Sequence, residues 1–89
     1  MLHAYGMAMK AQHARRYRRL PALLRTLREE AELTQRELGK RLRRPQSWIY
    51  NCETGNRRVD LAEFCEWCEG CEVEATVAVK RFLELARSV

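Results

Sequence analysis

Apolar residues along this chain recur three and four positions apart, and strict apolar–polar alternation is scarce, so the pattern predicts helices throughout. The first stripe is Leu24, Leu27 and Ala31, flanked by Leu20 and Leu23. It predicts a helix from about Leu20 to Ala31, with Pro21 in the first turn, where its missing N–H costs nothing. Arg28 lies beside that stripe, an unusual place for a charge. The second helix starts at Thr34. There "TQRE" reads as a capping box, in which the Thr34 hydroxyl accepts the Glu37 backbone N–H and the Glu37 carboxylate reaches back. Leu38 and Leu42 point inward. Gly39 sits in this helix interior at a cost of ~1 kcal/mol relative to alanine, which implies close approach of another helix.

Arg43 and Arg44 form a short turn, and Pro45 opens a third helix that runs to about Cys52 or Glu53, with Ile49 and Cys52 inward. Thr54-Gly55-Asn56 carries a glycine stop signal, and "NRRV" is a loop with two arginines. A fourth helix begins at Asp60 with a second capping box, Asp60 and Glu63. Its expected inward stripe is Leu61, Phe64, Cys65, Cys68 and Cys71, with Gly70 loosening its end. A fifth covers roughly Glu74 to Arg87: Ala75, Ala78, Val79, Phe82 and Ala86 share a face that Val77, Leu83 and Leu85 widen. The expectation is an all-α fold, a compact bundle of about five helices. Residues 1–16 lack periodicity and read as a basic arm, in which His3 and His13 are solvent-facing. Residues 17–73 then form the main domain, and 74–89 a C-terminal helix. There are no internal repeats.

Composition narrows the class. With 89 residues, 46% hydrophobic and 33% charged, the chain has enough apolar surface for one domain with a modest core. Its net charge of +5 is unevenly placed: residues 1–44 carry 12 Lys/Arg against 4 Asp/Glu, and residues 45–89 carry 5 against 8. A basic first half suits a polyanion such as duplex DNA, RNA or an anionic membrane, or it is simply a solvated charged face. No stretch approaches the ~20 apolar residues of a membrane helix, and the start is too short and polar for a secretory signal. The expected location is the cytoplasm, at the nucleoid when bound to DNA, with thiols reduced. Met7 and Met9 offer alternative starts.

Helices two and three, joined by a tight turn with a small residue inside the first, follow the plan of a helix-turn-helix. Once Ile49 and Cys52 fasten the third helix to the core, Gln46, Ser47, Trp48, Tyr50 and Asn51 face outward or sideways. Short amide and hydroxyl side chains on an exposed helix in a basic surround are suited to reading base edges. Arg43, Arg44, Arg57 and Arg58 flank that helix and are placed to hold the phosphate backbone. The N-termini of helices two and three, including Thr34, offer free N–H groups to phosphates.

Over residues 20–73 the chain resembles the Xre/Cro family of helix-turn-helix domains, which includes the lambdoid phage repressors. The resemblance rests on "LTQRELG", the inward Leu42 and Ile49, and the "E-x-G" of Glu53 and Gly55. It implies that Gln46, Ser47 and Asn51 occupy base-reading positions and that Gln35 contacts phosphate. It also implies that Arg28 and Glu53 form a buried ion pair between the first helix and the end of the third. Two departures stand out: Arg43 replaces the usual turn glycine, and Arg44 followed by Pro45 replaces the usual short polar N-cap. Trp48 is large for its position and suits either a thymine methyl or sugar, or plain coverage of the domain surface.

One such reader contacts few base pairs, so two copies on half-sites about one turn apart are expected. The fifth helix, through Val79, Phe82, Leu83 and Ala86, is the candidate for joining them; the alternative is that it only closes its own core. Spacing in "CEWCEGC" superficially suggests metal, yet Cys52, Cys65, Cys68 and Cys71 fall on apolar stripes and read as core residues, with no metal and no cofactor. No nucleophile–base pair or phosphate loop argues for an enzyme. The expected function is a sequence-specific duplex-DNA-binding transcriptional regulator, most simply a repressor acting as a dimer on an inverted-repeat operator. The alternative is an antitoxin of the same fold that also binds a protein partner and represses its own operon.

Overall fold

Five α-helices make up the regular structure of the computed structural model, which describes residues 17–87: α1 Arg19–Glu30, α2 Gln35–Leu42, α3 Gln46–Glu53, α4 Leu61–Gly70 and α5 Ala75–Arg87. The basic arm expected over residues 1–16 lies outside the described residues. No described helix is long and apolar enough to cross a membrane.

Both predicted capping boxes form. Thr34 Oγ1 accepts the Glu37 N–H while Glu37 Oε1 accepts the Thr34 N–H, and Asp60 and Glu63 repeat the pattern at α4. Two backbone amides at each of these helix starts are thereby satisfied. The start of α3 differs from expectation. Pro45 is itself the N-cap, in an extended conformation, and Gln46 is the first helical residue, so Arg44 sits outside the helix. The proline ring holds φ near −66°, which suits the extended cap, but supplies no side-chain acceptor for the first amides.

Three helices end in one way. Glu32, Arg43 and Glu72 adopt left-handed backbone at φ 59°, 56° and 57°. After each, the next amide reaches back five residues: Leu33 to Arg28, Arg44 to Gly39, and Val73 to Cys68, at 3.2, 2.8 and 3.0 Å. This is the Schellman arrangement, and it satisfies the last carbonyls at a steric cost that glycine would avoid. At the end of α2, Gly39 carries the tight approach. A Cβ there would lie 2.7 Å from the Arg44 carbonyl oxygen, so the α2–α3 turn closes only over glycine. The close neighbour is therefore backbone of the turn, beside the start of α3.

α1 packs on α3 and α5, α2 on α3 and α4, and α4 on α5. The core between them holds Leu23, Leu24, Leu27, Leu38, Ile49, Cys52, Phe64, Trp67, Cys68 and Ala78. The stripe expected for α4 is rotated. Leu61, placed inward from its spacing, is 73% exposed, and Cys65 is only half-buried, whereas Trp67 is fully buried. Trp67 anchors the helix because its indole Nε1 donates to the Leu24 carbonyl at 3.0 Å, giving a large aromatic both burial and a polar partner. Cys52, Cys68 and Cys71 are buried as apolar residues. Burial raises all three thiols, Cys68 and Cys71 to about 11, which keeps them protonated and unreactive. Among the described residues no group of three or more His, Cys, Asp or Glu side chains is arranged to hold a metal.

Two substitutions in the α2–α3 turn should move stability in opposite directions. Gly39→Ala is expected to destabilise by about 1–3 kcal/mol, because overpacking against the Arg44 carbonyl outweighs helix propensity. Arg43→Gly is expected to stabilise by about 0.5–1 kcal/mol by relieving the left-handed strain. Urea midpoints of the two variants check both signs.

Candidate nucleic-acid interface

The site is built on a buried ion pair. Arg28 Nε and Nη2 donate to Glu53 Oε2 and Oε1 at 2.6 and 3.0 Å, and Arg28 Nη1 donates to the Leu33 carbonyl at 2.7 Å. The pair that the resemblance implied is therefore present, linking α1, the α1–α2 turn and the last residue of α3. Both side chains are almost wholly buried. Hydrogen bonding to Glu53 raises the Arg28 pKa, against the opposing effect of burial. Charges are tolerated inside because nearly every donor and acceptor has a partner.

From this pair a chain of amides leads outward. Gln35 Nε2 donates to Glu53 Oε1 at 3.0 Å, and Gln46 Nε2 sits 3.4 Å from Gln35 Oε1. Gln35, expected on a phosphate, thus stands between the buried carboxylate and the first residue of α3. Its own side chain is half-buried, while Gln46 is exposed. The relay holds the Gln46 amide near the N-terminus of α2, so α2 and α3 present one surface.

On α3 the predicted reading residues divide. Gln46, Ser47 and Tyr50 are exposed, and Asn51 is half-buried with its Oδ1 3.4 Å from Asn56 Nδ2. They share the outward side of the helix, opposite Ile49, Cys52 and Glu53. Trp48 separates from them. It is half-buried, packs on the core, and lies with its ring centroid 6.2 Å from that of Trp67. Its Nε1 is buried and makes no hydrogen bond among the described residues.

The four flanking arginines also divide. Arg43 and Arg58 are exposed, and Arg58 lies over the Tyr17 ring, 4.7 Å from its centroid. Tyr17 was missed as a contributor: its hydroxyl accepts the Val59 N–H at 2.7 Å and ties the start of α1 to the loop after α3. Arg57 instead turns onto Glu63, with Nη1 and Nη2 each 3.0 Å from a carboxylate oxygen. Hydrogen bonding to Arg57 lowers the Glu63 pKa and raises that of Arg57. Arg44 reaches the same carboxylate at 3.9 Å. Thr34, besides capping α2, is exposed.

Two helices at a tight turn, the second offering polar side chains outward from a framework fixed by a buried ion pair, define a helix-turn-helix domain of the DNA-binding class. A family model described as a helix-turn-helix domain matches residues 19–82. The chain is also similar to a solved structure, an XRE-family like protein from Pseudomonas syringae pv. tomato str. DC3000. The two are 36% identical, the match covers 88% of this chain and 95% of that one, and the TM-score is 0.80. No similar sequence is found among curated proteins. The chain belongs to the Xre family of helix-turn-helix proteins and is a DNA-binding transcription regulator.

Breaking the ion pair from one side should be far worse than replacing it. Glu53→Ala is expected to cost about 3–5 kcal/mol, because Arg28 is left buried and unpaired. The apolar double replacement Arg28→Met with Glu53→Met is expected to be much milder, and comparing their urea midpoints tests this.

Proposed function

We propose that this regulator reads duplex DNA sequence-specifically with α3 in the major groove, acting as a repressor through two copies on an inverted-repeat operator. The observation that carries the reading is the outward row of Gln46, Ser47 and Tyr50, with Asn51 at its edge, on a helix whose other side is buried. Bidentate amides match adenine N6 and N7, so Gln46 and Asn51 are assigned to base edges, and Ser47 and Tyr50 to adjoining contacts. Exposed Arg43 and Arg58, together with the first amides of α2 and α3 beside Thr34 and Gln35, neutralise and hold phosphates. Such a role places the protein at the nucleoid, in the cytoplasm.

The second copy is assigned to α5. Val79 and Leu83 are exposed on one flank of that helix, while Phe82 and Ala86 are partly buried beneath them. Val79 and Phe82 line an apolar groove with Leu20, Val59, Leu61 and Phe64. A single α3 spans too few base pairs for useful specificity, which favours a second copy of this chain as the occupant of that surface.

Selection from random duplex DNA is expected to return an inverted repeat with half-sites about 34 Å apart. On that site Gln46→Ala should lose about 1–3 kcal/mol, with relaxed preference at one base position per half-site. An unchanged preference would remove α3 as the reader. Leu83→Glu is expected to make the protein monomeric in sedimentation while leaving its helical content intact; a dimer that persists in this variant rules out the α5 surface.

A further inference from the structure

The side chain that fits least well among base readers is Trp48, and its surroundings show a different use. Two guanidinium groups lie over its ring: Arg44 with Cζ 4.5 Å from the centroid, and Arg57 at 4.9 Å. One carboxylate serves both. Glu63, at the first turn of α4, holds Arg57 through two 3.0 Å hydrogen bonds, approaches Arg44 at 3.9 Å, and still accepts the Asp60 N–H that completes its capping box. Arg57 also donates to the Arg58 carbonyl at 2.8 Å. Most of the five donors of its guanidinium are therefore spent inside the domain. A cation over an indole is attracted to the ring face, and the Trp48 Nε1 is buried, with no hydrogen-bond partner among the described residues, so the polar end of the indole is not offered at the surface. These contacts tie the α2–α3 turn, α3 itself, the loop after it and the start of α4 into one unit.

We propose that Glu63, Arg57, Arg44 and Trp48 form a clamp that sets the orientation of α3, and that Arg57 and Glu63 are positioning residues which govern sequence reading without contacting DNA. The clamp replaces what the sequence withholds at this point: Pro45 gives α3 no side-chain cap, and Arg43 strains the turn before it. Glu63 neutralises Arg57, so the loop presents Arg58 to phosphate and keeps Arg57 for geometry. The proposal rests on the base-reading role assigned to α3 above, and it makes opposite predictions from a phosphate-contacting Arg57.

The test compares the intact wild-type protein with Arg57→Gln, Glu63→Gln and, as a reference, Arg58→Ala. Each is titrated at several salt concentrations against the duplex selected from random DNA and against a scrambled duplex. Arg58→Ala should reduce the slope of log affinity against log salt by about 0.9, as for one lost phosphate contact, with base preference unchanged. Arg57→Gln is expected to leave that slope unchanged, to lose about tenfold in affinity for the selected duplex, and to flatten preference at the bases facing Gln46 and Ser47. Glu63→Gln keeps an acceptor for the Asp60 amide and frees Arg57, so affinity should rise for the scrambled duplex and fall for the selected one. Arg57→Gln behaving like Arg58→Ala, or Glu63→Gln tightening both duplexes alike, would overturn the proposal.

A readout without DNA separates the clamp from the reading itself. The two indole N–H resonances of Trp48 and Trp67 should respond differently to Glu63→Gln: that of Trp48 moves, while that of Trp67, bonded to Leu24, stays and reports an intact fold. If neither moves, there is no clamp. If wild-type protein shows no preference between the duplexes, the base-reading assignment fails and the indole result still decides the clamp.

Discussion

The arrangement depends on a charge placed where charges are costly. Arg28 and Glu53 lie in the interior where α1, α3 and the α1–α2 turn converge, and they satisfy each other, the Leu33 carbonyl and Gln35. An apolar pair could fill that space and contribute as much to stability. It could not fix direction. Two parallel hydrogen bonds between a guanidinium and a carboxylate allow one relative orientation of the helices that carry them. That orientation sets where the outward side of α3 points. The relay through Gln35 to Gln46 carries the constraint from the core to the exposed side of α3, the surface proposed to read DNA.

Helix ends do the remaining placement. An eight-residue helix such as α2 or α3 has little stability of its own, so its limits are decided by what stops it. α2 has a full capping box at its start and a left-handed arginine at its end; α3 has a proline at its start and a glycine after its end. The strained ends at Glu32, Arg43 and Glu72 keep a charge on the surface where glycine would leave none. At Arg43 this puts a cation in the turn between the two helices of the motif.

Polar groups around α3 fall into two sets that a linear reading does not separate. Gln46, Ser47 and Tyr50 point into solvent, whereas Arg44, Trp48, Arg57 and Glu63 bond one another. α5 shows a comparable division: Ala78 closes the core while Val79 and Leu83 remain on the surface, Val79 sharing a groove with the exposed Leu61.

Much of this was legible from local rules. Capping boxes involve residues three apart, so Thr34–Glu37 and Asp60–Glu63 follow from the sequence alone. The all-α class does too, because it depends on a period of 3.6 residues, and a glycine inside a helix at position 39 marked a close approach. That Arg43 takes a turn position usually held by glycine was readable only through the family resemblance. The Arg28–Glu53 pair was readable only through family resemblance, since its members are 25 positions apart. Spacing could not decide the rotation of α4. Apolar residues cover more than half of that helix, leaving only the side of Glu63, Glu66 and Glu69 polar, so Leu61 and Cys65 look as fit as Trp67 to complete a stripe through Phe64, Cys68 and Cys71. The choice fell to the neighbours: α1 offers a carbonyl to the Trp67 indole, and Leu38 and Leu42 press against Gly70. In the same way, four arginines alike in sequence became two exposed cations and two members of a buried-edge cluster, because only the packed structure brings Glu63 and Trp48 to them. Patterns within one or two turns were set by the chain itself; which faces met, and which charges found partners, required the helices to be assembled.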